Sequence, residues 1–106
     1  MAAPKKKKSL WAVTLSTSAD RMSKKMPEKV QDSFVALLAD IEEDGPNQKG
    51  WAHFSPLKKT KRVPEKAYHC HLKSGRPTYV ACWQVNKAKK RVEVFYVGTH
   101  ENAPYQ

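Results

Sequence analysis

The run Tyr68-His69-Cys70-His71-Leu72-Lys73 sets two imidazoles two residues apart. In an extended strand alternate side chains leave on opposite faces, so Tyr68, Cys70 and Leu72 can bury while His69, His71 and Lys73 line the other surface. A third imidazole, His100, follows an apolar run in Gly98-Thr99-His100-Glu101-Asn102-Ala103-Pro104-Tyr105. If the strand before it pairs near the first, His100 comes within reach of His69 and His71. Imidazoles titrate near ~6.5, so at neutral pH one can accept a proton while another gives one. Metal-free RNA cleavage needs that pair: the 2′-hydroxyl loses a proton as it attacks phosphorus, and the leaving 5′-oxygen gains one. Each transfer is worth about 10²–10⁴ in rate. Neighbouring lysines and arginines would stabilise the phosphorane, and aromatic rings would stack on splayed bases.

Two other readings compete. His-x-His on a strand with a third histidine also suits zinc. Against zinc, Lys73 and a basic stretch flank the pair, and Glu101 is the only carboxylate in these motifs. Alternatively the histidines are ordinary exposed polar residues, the simpler account for any single one and the weaker for the set. His53, in Gly50-Trp51-Ala52-His53-Phe54-Ser55-Pro56-Leu57, stays open. Trp51, Phe54 and Leu57 would pack the segment on the core and leave His53 outward, with fourth membership of the site the less simple reading.

The whole chain is cationic. Lys and Arg number 20 against 10 Asp and Glu, a formal charge of +10 on 106 residues. That balance favours polyanions. Within it, the run Lys58-Lys59-Thr60-Lys61-Arg62 reads as phosphate contact more readily than as solvation alone. No stretch approaches the ~20 apolar residues of a membrane span, and no apolar run of about 7–15 residues follows Lys5-Lys6-Lys7-Lys8 to make a secretory signal. A cytoplasmic protein without a membrane partner is expected. Cys70 and Cys82 then read as two buried thiols in a reducing compartment. Residues 1–8 read as a disordered basic tail, and residues 9–106 as one domain; Lys5 to Lys8 resemble a nuclear-import signal, with a solvated tail the simpler account.

The elements that would position the imidazoles follow from patterning. Residues 9–16 suggest a strand, and Thr17 or Ser18 can cap a short helix carrying Ala19, Met22 and Met26. Pro27 at the first helical position, Gly45-Pro46 as the stop, and Val30, Phe34, Leu37, Leu38 and Ile41 on one face predict a second helix. Asp40, Glu42, Glu43 and Asp44 oppose its dipole; they read as solubilising, or as contacts for a basic part of a partner. Residues 47–66 show no period and read as a long loop. Strands are expected over 67–73, 78–85 and 90–98, with turn chemistry between them. This order predicts an α+β fold: an N-terminal strand, two helices on one sheet face, and a three-stranded antiparallel meander in one twisted sheet.

From about Trp51 to Tyr105, three strings resemble the RelE/ParE superfamily of bacterial toxins. They are Ala67-Tyr68-His69-Cys70-His71-Leu72, Pro77-Thr78-Tyr79-Val80-Ala81-Cys82-Trp83-Gln84-Val85, and Tyr96-Val97-Gly98-Thr99-His100-Glu101-Asn102-Ala103-Pro104-Tyr105. The resemblance implies a RelE-like fold in a toxin of a two-gene toxin–antitoxin system. Its RelE-like branch cuts messenger RNA, typically in the ribosomal A site, and is silenced by a wrapping antitoxin. The ParE branch shares the fold, acts on DNA gyrase, and is the alternative, with a non-catalytic RNA-binding relative.

On this resemblance His69 and His71 occupy the places of two lysines of the RelE-like branch. His100 occupies that of a basic or histidine residue, and Tyr105 that of a C-terminal tyrosine. Val80 falls where that branch has a substrate-binding arginine, and Arg76 in the preceding turn is the candidate replacement. The expectation is a metal-independent, cofactor-free endoribonuclease acting on messenger RNA and associated with the ribosome. In it His69 or His71 is base or orienting group, and His100 is acid or phosphate ligand. Tyr105 stacks on a base or orients the phosphate, Lys73 and Arg76 balance charge, and Lys58, Lys59, Lys61 and Arg62 hold RNA. The expected partner is an acidic antitoxin encoded nearby.

Overall fold

The computed structural model describes residues 10–106, so the expected basic tail over residues 1–8 lies outside the described residues. In chain order the elements are β1 (Ala12–Leu15), α1 (Thr17–Ser23), α2 (Glu28–Asp44), β2 (Ser55–Leu57), β3 (Ala67–Lys73), β4 (Tyr79–Asn86) and β5 (Arg91–Thr99), then a 3-10 turn, His100–Asn102. They form one mixed sheet in the order β1-β5-β4-β3-β2. β1 runs parallel to β5, and every other neighbouring pair is antiparallel. The expected α+β arrangement is present, with one strand more than patterning showed. No described helix is long and apolar enough to cross a membrane.

The apolar stripe of α2 buries Val30, Phe34, Leu37 and Ile41. It packs with Ala19 and Met26 on the sheet face carrying Cys70, Leu72, Ala81, Trp83 and the valines of β5. Pro27 is the cap before α2 rather than its first residue, and Gly45 closes the helix at φ 96°. A Cβ at Gly45 would lie 2.9 Å from Trp11 Nε1, so glycine there also lets the β1 lead-in reach the helix end. For α1 the cap is Ser16, not Thr17 or Ser18. Its backbone is still extended, and its Oγ accepts the Ala19 N–H at 3.1 Å.

The expected loop over residues 47–66 is more ordered than its lack of period suggested. Gln48 is buried and donates to the Gly45 and Asp40 carbonyls, and Trp83 Nε1 donates to Pro46 O. Trp51 Nε1 donates to Asp40 Oδ2 at 2.9 Å, which ties that carboxylate into the fold itself. Phe54 stacks between Tyr68 and Trp83. β2 follows and pairs with β3, setting Ser55 opposite His69. Three residues with a central Pro56 carry no readable strand signal, and proline is tolerated there because β2 is the sheet edge.

The second sheet face holds the imidazoles. Register places His69 beside Cys82 and His71 beside Val80, and Ala67, Val80 and Cys82 are fully buried outside the helix-side core. Both cysteines are free and buried, as expected; burial pushes the Cys70 thiol up to about 12 and the Cys82 thiol further still.

Candidate active site of converging imidazoles

β3 and β5 are not neighbours, since β4 lies between them. His100 therefore does not meet β3 by direct strand pairing. The His100 backbone N–H donates to Thr78 O at 2.8 Å, one residue beyond the β4–β5 pairing, and from the 3-10 turn that begins there its side chain reaches over β4 toward His71. The result is nonetheless a cluster. The rings of His71 and His100 are 5.5 Å apart between centroids, edge to face, and those of His69 and His71 are 6.0 Å apart. Tyr105 packs its ring 4.6 Å from His69 and 5.7 Å from His100. His53 joins them, stacked on His71 at 4.2 Å and 25°. All four histidines thus form one cluster of rings.

Their surroundings differ. His69 is only 8% exposed, against the expectation of an open face, because β2 and Tyr105 cover it. Ser55 Oγ lies 3.3 Å from its Nδ1. Burial lowers the His69 pKa most; a backbone hydrogen bond at Ser55 opposes this, and His100 and His53 lower it further. His71 is half-buried, and its pKa is lowered first by burial, then by His53, His69 and His100. His100 is also half-buried, with Gln106 Nε2 3.4 Å from its Nδ1. The Tyr105 hydroxyl is buried without a hydrogen-bond partner among the described residues, and burial raises its pKa. That phenol is a neutral group at every physiological pH.

Two open depressions flank the rings. One, of about 540 Å³, lies between Lys58, Lys61 and Arg62 on one side and Tyr105 and Gln106 on the other. The second, of about 490 Å³, brings Arg76 beside His100, Glu101 and Gln106. Lys59 and Lys73 line neither; the Lys73 ammonium lies over the turn, 3.6 Å from where a Cβ on Gly75 would stand. Val80 is fully buried between His71 and Gly98 in the register, so that position presents nothing to a ligand. Among the described residues no three His, Cys, Asp or Glu side chains are arranged as a ready metal site.

Ser55 and Gln106 carry no signal in the sequence, and His53 stays open there. Ser55 and His53 depend on a strand that patterning did not show, and Gln106 depends on the turn that folds the terminal segment back over β4.

No family model and no curated protein matches the chain. Solved structures do match. RelE–RelB from Pyrococcus horikoshii OT3 aligns with a TM-score of 0.66 at 15% identity, covering 89% of this chain and 99% of that one. The isolated E. coli RelE toxin aligns with a TM-score of 0.63 at 17% identity over 88% of this chain and 87% of its own. A metal-bound toxin from Helicobacter pylori aligns with a TM-score of 0.55 at 20% identity, over 86% and 96%. With its five-stranded mixed sheet and paired helices, this chain has the fold of the RelE toxins.

Proposed function

We propose that this chain is a RelE-type toxin that cleaves messenger RNA without a metal, at the ribosome and in the cytoplasm, and so stops translation. The observation that carries the reading is the 5.5 Å approach of His71 and His100 beside two cation-lined depressions. The two rings are close enough to serve one phosphodiester, one at the attacking oxygen and the other at the leaving oxygen on the opposite side of phosphorus. His71, the more accessible strand imidazole, takes the proton of the 2′-hydroxyl as the 2′-oxygen–phosphorus bond forms. His100 gives a proton to the 5′-oxygen as the phosphorus–oxygen bond breaks. The products are a 2′,3′-cyclic phosphate and a free 5′-hydroxyl, and solvent resets both rings. His69, buried against Ser55 and Tyr105, orients its neighbours.

Arg76 supplies the charge that Val80 does not, and Lys58, Lys61 and Arg62 hold the strand on the other side. Lys59 and Lys73 contact phosphates further out. An acidic antitoxin that covers this cationic face would silence it, in keeping with the complexes this fold forms elsewhere.

The test is cleavage of messenger RNA on programmed ribosomes, with 5′ ends mapped, for the wild type, His71→Ala and His100→Ala, each protein used untreated and after stripping with EDTA and removal of the chelator before it meets the ribosomes. Cutting that survives chelation and drops by about 10²–10⁴ in either variant is expected. Cutting abolished by EDTA would replace the proton-transfer account with a metal one. Gyrase inhibition that survives both substitutions, with RNA intact, would favour the ParE alternative.

A further inference from the structure

We propose that His53 is a positioning residue for His71 in the cleavage reaction: stacked on that imidazole from the turn ahead of β2, it holds the ring in one orientation over the outer sheet face. The inference rests on the ribonuclease reading above. Of the ring pairs in the cluster this is the closest and flattest, at 4.2 Å and 25°; the others are tilted or edge-on at 4.6–6.0 Å. Burial does not explain the placement, because His53 is exposed and forms no hydrogen bond or ion pair among the described residues.

The backbone is built to deliver it. His53 sits at φ 56°, in the left-handed region that a non-glycine residue keeps only when its surroundings hold it there. Both sides of the turn are pinned. The His71 N–H donates to Ala52 O at 2.8 Å, the Phe54 N–H to Trp51 O, and the Trp51 indole to Asp40. Ser55 then enters the β2–β3 ladder opposite His69. A turn so anchored fixes the imidazole at its tip against its partner, whereas a free tip would let it swing.

The chemical consequence follows from what faces His71. The groups around it are the imidazoles of His53, His69 and His100, so a proton on any of them disfavours a second on His71. The stack therefore keeps His71 as a proton acceptor while holding its ring plane steady.

Two variants of the full chain separate these parts. His53→Asn removes the ring and keeps a residue that tolerates left-handed backbone; His53→Phe keeps a stacking ring and removes the imidazole nitrogens. Cleavage is followed as kcat, KM and pH profile, and the His71 ring is titrated by NMR without RNA. His53→Asn is expected to lower kcat by up to about 10²-fold at unchanged KM, as misplacement of a reacting group does. With His53→Phe, kcat at high pH stays near wild type, while the ascending limb and the NMR midpoint of His71 both move to higher pH. Unchanged kcat and midpoint in both variants, with His71→Ala inactive, would overturn the positioning role and leave the nuclease standing. A wild type that cuts no RNA, with the NMR shift still present, removes the nuclease reading and the catalytic role together.

Discussion

His69 shows how a single residue sets a pH dependence. It is 8% exposed among imidazoles, and burial lowers its pKa below the unfolded value of ~6.5. The folded state therefore prefers the neutral ring. Its contribution to stability is complete above pH ~6.5 and is lost as pH falls through the lower folded value, with His71 adding in the same direction. Melting temperature should fall between pH 7.5 and pH 5, and His69→Gln should flatten that fall; an equally steep profile in the variant would remove His69 as its source. Tyr105 makes a different point. Its ring touches His69 and His100, but its hydroxyl is buried and unpartnered. Removing an unsatisfied hydroxyl relieves a desolvation cost of about 1–3 kcal/mol. Tyr105→Phe should then keep cleavage and raise stability, while Tyr105→Ala should lose activity with the support of both imidazoles. Lost cleavage in the Phe variant would give the hydroxyl a direct part in holding phosphate.

At the scale of elements, the site is assembled by short connections as much as by strands. α2 and the three meander strands were readable because each carries a pattern longer than its own period. The same patterning put His69 and His71 on one face, which the register bears out. β2 was not readable: three residues around a proline have no alternation to detect, and their order comes from pairing with β3, while Trp51, Gln48 and Trp83 hydrogen bonds anchor the segment that leads into them. For the same reason the burial of His69 was invisible and His53 stayed an open member of the site, since both depend on how the segment leading into β2 is anchored. The arrival of His100 was legible as a possibility, but its route over β4 was not, because the 3-10 turn is held by a tertiary bond to Thr78. Gly45 offers a test of how far the elements are separable from the site. Its φ of 96° and the 2.9 Å approach to Trp11 Nε1 leave no room for a side chain. Gly45→Ala should cost about 1–3 kcal/mol of stability in denaturant titrations. Cleavage per folded molecule should persist, because α2 packs on the face opposite the imidazoles.

For the molecule as a whole, charge is distributed as a polyanion ligand would require. Asp40, Glu42, Glu43 and Asp44 sit together at the end of α2, on the helix side of the sheet. Among the described residues the one ion pair is Lys24–Asp20, exposed at α1. Lys58, Lys61 and Arg62 are thus without carboxylate partners, and they line the depression that Tyr105 closes. If single-stranded RNA lies there, each phosphate they neutralise releases counterions and adds roughly 0.7 to the slope of log affinity against log salt. Changing all three to glutamine should reduce that slope by about 2. KM should rise steeply at low salt, while kcat at saturating RNA holds, because the imidazoles are untouched. Arg76 differs: it shares its depression with His100, where negative charge grows in the transition state, so Arg76→Gln should lower kcat more than it raises KM. A triple variant with an unchanged salt slope would place the RNA path elsewhere, and an Arg76 effect confined to KM would return that arginine to simple binding.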